Sequence, residues 1–348
     1  MESFRRLSSQ AVSGVSTAFH TLLVSETGAL YACGDNSNGQ LGLDDREYHK
    51  QLTQVPCNEV VRTAIACDFS TFVITASGAV FVCGANGYGQ LGLGDRSPRK
   101  TLTRISLDEP VVSIANTFRH TLFLTVSGTV YICGQFDFDV LLHGTTPVRL
   151  PLEESVKTIA VGSDSIFLVT ISGALYTCGY NGRGRLGVDL SYNPTTPTRV
   201  PLEESVNTVV ATHDSTYIVT VSGALYSCGS NEHGQLGLGD TSDRGQFTRV
   251  PLTEPVKMVA AYHNHLFIAM RSGALYTCGL GDRKYITIPV KLPLNKAVRT
   301  VATGSDNAFV FTVNEELYTC ANNRYTLRQR CLEDTTDRTE FRLYGAEL

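Results

Sequence analysis

One short sequence recurs along the chain at nearly constant spacing. Residues 173–179 and 273–279 both read GALYTCG, residues 223–229 read GALYSCG, and residues 28–34 read GALYACG. Successive copies, aligned on their cysteine, are separated by 50, 50, 45, 50, 50 and 42 residues, and the seven cysteines are Cys33, Cys83, Cys133, Cys178, Cys228, Cys278 and Cys320. Because seven copies fill the 348 residues, the pattern predicts a single repeat domain over residues 1–348.

Each copy contains the same succession of short strand-like segments. In the fourth copy, SVKTIAV (155–161) precedes the polar link GSDS (162–165), and IFLVT (166–170) precedes the pair Ser172-Gly173 and then ALYTCG. Glycine tolerates the positive φ of a tight turn, so the Ser-Gly pair indicates a β-hairpin. A later segment, PTRV at 197–200, supplies a fourth strand. The sequence therefore predicts an all-β fold, a seven-bladed β-propeller with about four short strands per blade.

The two ends of the chain offer one fourth strand too many. FRRL at 4–7 precedes the first repeat, and FRLY at 341–344 follows the seventh cysteine. Eight such segments compete for seven places, so we expect the ring to be closed by pairing of the termini, with one terminus completing a blade begun by the other. The sequence leaves open which terminus does so.

Composition and charge narrow the class of protein. Hydrophobic residues make up 42% of the chain and charged residues 18%, as in a soluble globule. No apolar run approaches the roughly 20 residues that span a bilayer, and the N-terminal MESFRRLSSQAVSG lacks a signal sequence's apolar segment. We therefore expect an intracellular protein of the cytoplasm or nucleus, without a membrane partner. A net charge of −4 gives no basic excess, so direct contact with nucleic acid is not expected.

Neither the cysteines nor the glycine-rich loops indicate a cofactor. No CxxC pair occurs, which argues against a zinc ribbon, and a buried free thiol packs as a small hydrophobic group. The seven repeated cysteines are therefore predicted to be structural. The recurring GQLG loop lacks the lysine and Ser/Thr of a phosphate-binding loop. His213, His263 and His265 leave a zinc site as a weaker alternative to no metal.

The loops between the first and second strands carry the candidate partner-binding residues. The third position of these loops holds Phe19, Phe69, Arg119, Asp164, Asp214, Asn264 and Asp306. Aromatic residues and arginine are enriched at interaction hot spots, so the sequence predicts an apolar part in the first three repeats and an acidic part in the others. No Ser/His/Asp set or carboxylate pair recurs, so no catalytic residue is expected and the protein is predicted not to be an enzyme.

Two long segments resemble a known repeat. HTLLVSETGALYACGDNSNGQLG (20–42) and STFVITASGAVFVCGANGYGQLGLGD (70–95) are similar to the regulator of chromosome condensation repeat. The resemblance implies a seven-bladed propeller, in agreement with the repeat count. The family usually has tryptophan where this chain has its cysteine, and the chain contains no tryptophan. Light sensing through clustered tryptophans, which the family includes, is thereby excluded.

The resemblance also implies two candidate functions. The first is a non-enzymatic protein-interaction module or scaffold that uses the loops at one mouth of the propeller, with a small GTPase or a larger assembly as its protein partner. The alternative is a guanine-nucleotide exchange factor for a Ran-like small GTPase with chromatin association. An exchange factor of this family has a basic N-terminal tail and a protruding wedge. Here MESFRRLSSQ is short and no repeat exceeds 50 residues, which favours the first function.

Overall fold

The computed structural model describes residues 11–16, 19–136, 144–188, 192–280, 285–303, 307–321 and 338–343. The chain divides into two compact units, Met1–Ile159 and Ala160–Leu348. In the described segments the only helical element is a single 3-10 turn at Gly182–Gly184. None of these segments forms a helix of the length and apolarity needed to cross a membrane.

The first unit contains three four-stranded antiparallel sheets, each made of four consecutive strands. The strands are β1 (Ala11–Ser16), β2 (His20–Ser25), β3 (Leu30–Gly34) and β4 (His49–Gln54) in the first sheet, β5 (Val61–Cys67), β6 (Ser70–Thr75), β7 (Val80–Gly84) and β8 (Arg99–Arg104) in the second, and β9 (Val111–Asn116), β10 (His120–Thr125), β11 (Val130–Gly134) and β12 (Gly144–Arg149) in the third. Each sheet is an up-and-down meander, as in a propeller blade.

The second unit contains four further sheets of the same topology, the first of which begins at the boundary between the units. The strands are β13 (Val156–Val161), β14 (Ser165–Thr170), β15 (Leu175–Gly179) and β16 (Thr198–Arg199) in the fourth sheet, β17 (Val206–Ala211), β18 (Ser215–Thr220), β19 (Leu225–Gly229) and β20 (Arg244–Arg249) in the fifth, β21 (Val256–Tyr262), β22 (His265–Met270), β23 (Leu275–Leu280) and β24 (Tyr285–Lys291) in the sixth, and β25 (Val298–Thr303), β26 (Asn307–Thr312), β27 (Leu317–Ala321) and β28 (Arg338–Leu343) in the seventh.

The hydrophobic core within each unit lies between consecutive sheets. Leu22 and Val24 of the first sheet pack in one cluster with Val61 and Val73 of the second. In the second unit, Tyr217 of the fifth sheet shares a cluster with residues of the sixth. The second strands of sheets two to five are buried along their whole length. Sheets two and five have both neighbouring sheets within their own unit, and there the apolar residues on both faces are explained by neighbours that cover both faces.

The turns between second and third strands are the hairpins that the sequence predicts. Gly78 has φ +83°, and its N–H donates to the Thr75 carbonyl at 3.0 Å. A Cβ on Gly78 would lie 2.5 Å from the Pro110 Cβ, so both the backbone angle and the space require glycine. Gly128, Gly173, Gly223 and Gly273 repeat this positive φ.

Seven four-stranded antiparallel sheets match the predicted seven-bladed β-propeller class, and the sheet count equals the repeat count. The predicted closure of the ring by pairing of the termini is not seen among the described residues. The first and seventh sheets each consist of consecutive strands, and β28 pairs Leu343 with Tyr318 of its own repeat. No described sheet therefore contains strands from both ends of the chain. In each sheet the third strand pairs with a fourth strand of its own repeat. The competing segment 4–7 lies outside the described residues, and the single domain over 1–348 stays a prediction.

Candidate protein-interaction site

The glycine that ends each third strand fixes the loop that carries the predicted partner-binding residues. Gly84 has φ +101°, and a Cβ there would lie 2.2 Å from the Phe69 carbonyl oxygen. The following N–H, of Ala85, donates to that same oxygen at 2.8 Å. The equivalent glycines of the first and third sheets would place a Cβ 2.5 Å from the Phe19 oxygen and 2.2 Å from the Arg119 oxygen. These loops are therefore held by their backbone, which leaves their side chains available for contacts.

In the first unit, side chains of these loops and one from the glycine-rich loop of the second sheet form a continuous line, which we call the aromatic strip (Phe19, Phe69, Phe118, Tyr88 and Arg119). The ring centroids of Phe19 and Phe69 are 4.4 Å apart, those of Phe69 and Phe118 6.2 Å, and those of Phe118 and Tyr88 5.3 Å. The Arg119 guanidinium lies 5.4 Å from the Tyr88 ring centroid, a cation–π distance. Phe19 is 36% exposed and Phe118 40% exposed, so part of the strip faces solvent.

The structure brings together the three residues that the sequence predicts for the first unit and adds two that it misses. Phe118 occupies the second position of its loop, whereas the prediction compares only third positions. Tyr88 comes from the glycine-rich loop of the second sheet, where the first sheet has Asn38. The signal that could have identified Tyr88 is an aromatic residue where the first repeat has a polar one.

Gln90 connects the glycine-rich loop of the second sheet to the strip. Its side-chain oxygen accepts the Tyr88 N–H at 3.0 Å, and its Nε2 donates to the Phe118 carbonyl at 3.2 Å. Gln90 is only 1% exposed. A buried amide with partners on both sides therefore sets the separation of the two loops that carry the strip.

In the second unit, the predicted residue Asp214 does not present a bare carboxylate. Asp214 accepts a hydrogen bond from the Arg185 guanidinium, and its Oδ2 lies 2.9 Å from His213 Nδ1. Arg185 replaces the glutamine of the other glycine-rich loops, and its guanidinium lies 4.8 Å from the Tyr180 ring centroid. Burial lowers the pKa of Arg185, and the negative charge of Asp214 opposes that shift. Asp214 is thus part of an ion pair with a largely buried arginine, which offsets the acidic surface that the sequence predicts.

The other predicted residues of the second unit are placed individually. Asp164 is half-buried, and its charge acts on Arg185. Asn264 Oδ1 accepts from Gln235 Nε2 at 3.4 Å, so this loop too meets the glycine-rich loop of the preceding repeat. Asp306 lies outside the described residues.

The repeated cysteines lie mainly in the interior. The five central ones, Cys83, Cys133, Cys178, Cys228 and Cys278, are 0–1% exposed. Four thiols lie 3.4–3.5 Å from a backbone carbonyl of the preceding repeat, and the pairs are Cys83 with Gln40, Cys133 with Gln90, Cys228 with Arg185, and Cys278 with Gln235. Burial raises the pKa of the Cys83 and Cys278 thiols to about 12. Cys33 is half-buried, and the side chain of Cys320 lies outside the described residues.

The candidate zinc histidines do not gather around a common point. His213 binds the adjacent Asp214, and the His263 ring packs edge-on to Tyr262 at 4.2 Å between centroids. Within the part of the chain that the structure describes, no group of three or more His, Cys, Asp or Glu residues is arranged to hold a metal ion.

Comparisons with known proteins identify the repeat. Family models described as "Regulator of chromosome condensation (RCC1) repeat" match residues 27–73, 77–124 and 222–269, and a second model of the same description matches 12–40. A comparison with curated protein sequences found no match.

Solved structures share the fold at low sequence identity. Yeast RCC1 (Prp20) bound to Kap60 has 21% identity over 84% of this chain and 78% of its own, with a TM-score of 0.71. Prp20p from Saccharomyces cerevisiae has 22% identity over 85% and 80%, also with 0.71. Human WBSCR16 has 17% identity over 90% and 93%, with 0.77. The chain, which has no tryptophan, thus contains regulator of chromosome condensation repeats at the matched positions and shares the fold of these solved structures.

Proposed function

We propose that the protein is a non-enzymatic protein-interaction module or scaffold and that the aromatic strip contacts its partner. The observation that carries the proposal is the line of partly exposed aromatic rings, ending in Arg119, across loops of three consecutive sheets. Aromatic residues and arginine dominate the binding energy of protein interfaces. The loops are already fixed by their glycines and by Gln90, so little conformational entropy is lost when a partner binds.

The test compares a strip variant with a control variant of similar chemistry. Phe118→Ala should lower affinity for the partner by at least about 2 kcal/mol, or roughly 30-fold, if Phe118 is a hot spot. Ile171→Ala removes an apolar side chain that is 71% exposed and lies outside the strip, and it should leave affinity unchanged.

The partner itself is found by affinity purification from native cells with the unmodified protein as bait. A protein retained by the unmodified chain and by Ile171→Ala, but lost with Phe118→Ala, would support the strip as the contact surface. Equal retention by all three forms would refute it. We expect the partner to reside in the cytoplasm or nucleus.

Guanine-nucleotide exchange on a Ran-like GTPase is the second candidate function. It is favoured by the fold shared with Prp20p, whose solved structure is described together with its binding to Gsp1p and histones. The assay is release of a fluorescent guanine nucleotide from the GTPase, with and without this protein. Acceleration above the spontaneous rate would support exchange, and an unchanged rate would leave the interaction module as the function.

A further inference from the structure

The segment RSPRK, residues 96–100, is an exposed basic segment that the proposed function does not use. It leads from the glycine-rich loop of the second sheet into β8. Its first three side chains and that of Lys100 are exposed, and residues 96–98 belong to no strand. The Ser97 hydroxyl makes no hydrogen bond to any described residue, while the Ser97 N–H donates to Asp95 Oδ1 at 2.9 Å. A solvent-facing hydroxyl therefore stands among cationic side chains.

We propose that Ser97 is a phosphorylation site for a proline-directed protein kinase. Pro98 follows the serine and has no N–H, so a kinase that closes around this position leaves no backbone donor unpaired. Lys100, the third residue after the serine, offers a cation to an anionic group of the kinase. In the reaction the Ser97 Oγ bonds to the γ-phosphorus of ATP, and the bond from that phosphorus to the β–γ bridging oxygen breaks. ADP leaves with the electron pair, and a carboxylate of the kinase takes the hydroxyl proton.

The fifth sheet contains a structural match that lacks the kinase motif. In both sheets an aspartate two residues before the serine accepts the serine N–H at 2.9 Å, and an arginine two residues after it donates to the serine carbonyl at 2.7 Å. The serine of the fifth sheet, Ser242, is also exposed, but it is followed by Asp243 instead of proline. Any difference in phosphorylation between the two serines therefore reports on Pro98 and Lys100 rather than on backbone shape.

Two threonines share the sequence pattern but differ in structure. Thr146 precedes Pro147 inside β12, and a Cβ on Gly92 would lie 3.1 Å from the Pro147 ring, so this segment is packed against the neighbouring loop. Thr196 precedes Pro197, which is half-buried, whereas the proline after Ser97 is exposed. A proline-directed kinase must contact the proline after its target residue, so the exposure of Pro98 favours Ser97 over both threonines.

Phosphorylation would change the local charge substantially. The segment from Asp95 to Lys100 carries three cations and one carboxylate, and Arg99 Nη2 lies 2.6 Å from Asp95 Oδ2. A phosphoserine adds about −1.5 to −2 charges at neutral pH, which brings the segment close to neutrality. The phosphate would also compete with Asp95 for the Arg99 guanidinium.

The experiment treats the intact protein with a purified proline-directed kinase and ATP, then counts and locates phosphates by mass spectrometry. We expect one phosphate on Ser97, none on Ser97→Ala or Pro98→Ala, and several-fold slower incorporation on Lys100→Gln. Ser242→Ala and Thr196→Ala should behave as the unmodified protein, and circular dichroism should show that every variant remains folded. The proposal is overturned if the intact protein takes up no phosphate while the kinase modifies a standard substrate. It is equally overturned if the phosphate lies on Thr146, Thr196 or another residue.

Discussion

Replacing Cys133 by serine tests whether the repeated cysteine is a packing residue. The Cys133 side chain is 0% exposed, and its sulfur lies 3.4 Å from the Gln90 carbonyl oxygen, which also accepts the Thr121 hydroxyl at 2.9 Å. The C–O bond of serine is shorter than the C–S bond of cysteine, so the new hydroxyl would lie beyond the roughly 3.0 Å reach of an O–H···O bond. A buried hydroxyl without a partner costs about 1–3 kcal/mol.

Alanine at the same position separates polarity from lost volume. Cys133→Ala removes only the sulfur, and the loss of one buried group of this size costs about 1 kcal/mol. Serine is closer to cysteine in shape, yet we expect Cys133→Ser to be less stable than Cys133→Ala. Cys57→Ser is the control, because Cys57 is half-buried and should change stability by no more than about 0.5 kcal/mol.

The assay is urea unfolding followed by circular dichroism, with the free energy of unfolding compared among the three variants and the unmodified protein. The expected order of stability is unmodified protein and Cys57→Ser, then Cys133→Ala, then Cys133→Ser. If Cys133→Ser were as stable as the unmodified protein, or more stable than Cys133→Ala, the interface at Cys133 would not be the apolar contact described above.

Three further predictions address the pH dependence, the thiols and the strip. Burial, assisted by the charge of the neighbouring arginine, lowers the pKa of His120 from 6.5 to about 3. Between these values the unfolded chain binds a proton that the folded chain does not, so the free energy of unfolding should decrease as the pH is lowered from 6.5 to 3. Urea unfolding at each pH should show a smaller decrease for His120→Asn. Cys178, 0% exposed, should resist thiol reagents in the folded protein, and rapid labelling would contradict its interior role. Gly84→Ala should displace Phe69 and lower the free energy of unfolding by at least about 1–2 kcal/mol, as measured by urea unfolding. Gly87→Ala should not lower it by this amount, because a Cβ at Gly87 meets no atom within 4 Å.

The fold was predictable because its signals are local to each repeat. A glycine such as Gly78 both requires a positive φ and marks a hairpin, and the β-branched run before it marks the strand. Fourth-strand pairing at the termini was not predictable in the same way. FRRL and FRLY have similar side chains, and only the register between Tyr318 and Leu343 shows which segment joins the seventh sheet.

The candidate site was only partly predictable because its contacts run between repeats. Alignment of equivalent positions predicts Phe19, Phe69 and Arg119. The Arg119 guanidinium, however, lies over the ring of Tyr88, which comes from a different loop of the preceding repeat. A comparison of equivalent positions also does not predict the ion pair of the second unit, because Arg185 and Asp214 occupy non-equivalent positions of their repeats. A residue comparison that pairs each glycine-rich loop with the first loop of the next repeat would have found these contacts.

This pairing explains how the repeats keep the same buried contact while their loops diverge. The Gln90 carbonyl accepts from the Thr121 hydroxyl and Cys133 thiol of the next repeat, while its side chain reaches out to the strip. Arg185 takes the same place in the fourth repeat, and its carbonyl likewise accepts a threonine hydroxyl at 2.8 Å and a cysteine thiol at 3.4 Å. These hydrogen bonds are accepted by a backbone carbonyl, which every residue type possesses. Arginine can therefore replace glutamine at this position without loss of the buried hydrogen bonds from threonine and cysteine. The side chain is then free to differ, and together with the residues of the adjoining loop it forms the aromatic strip beside Gln90 and an ion pair at Arg185.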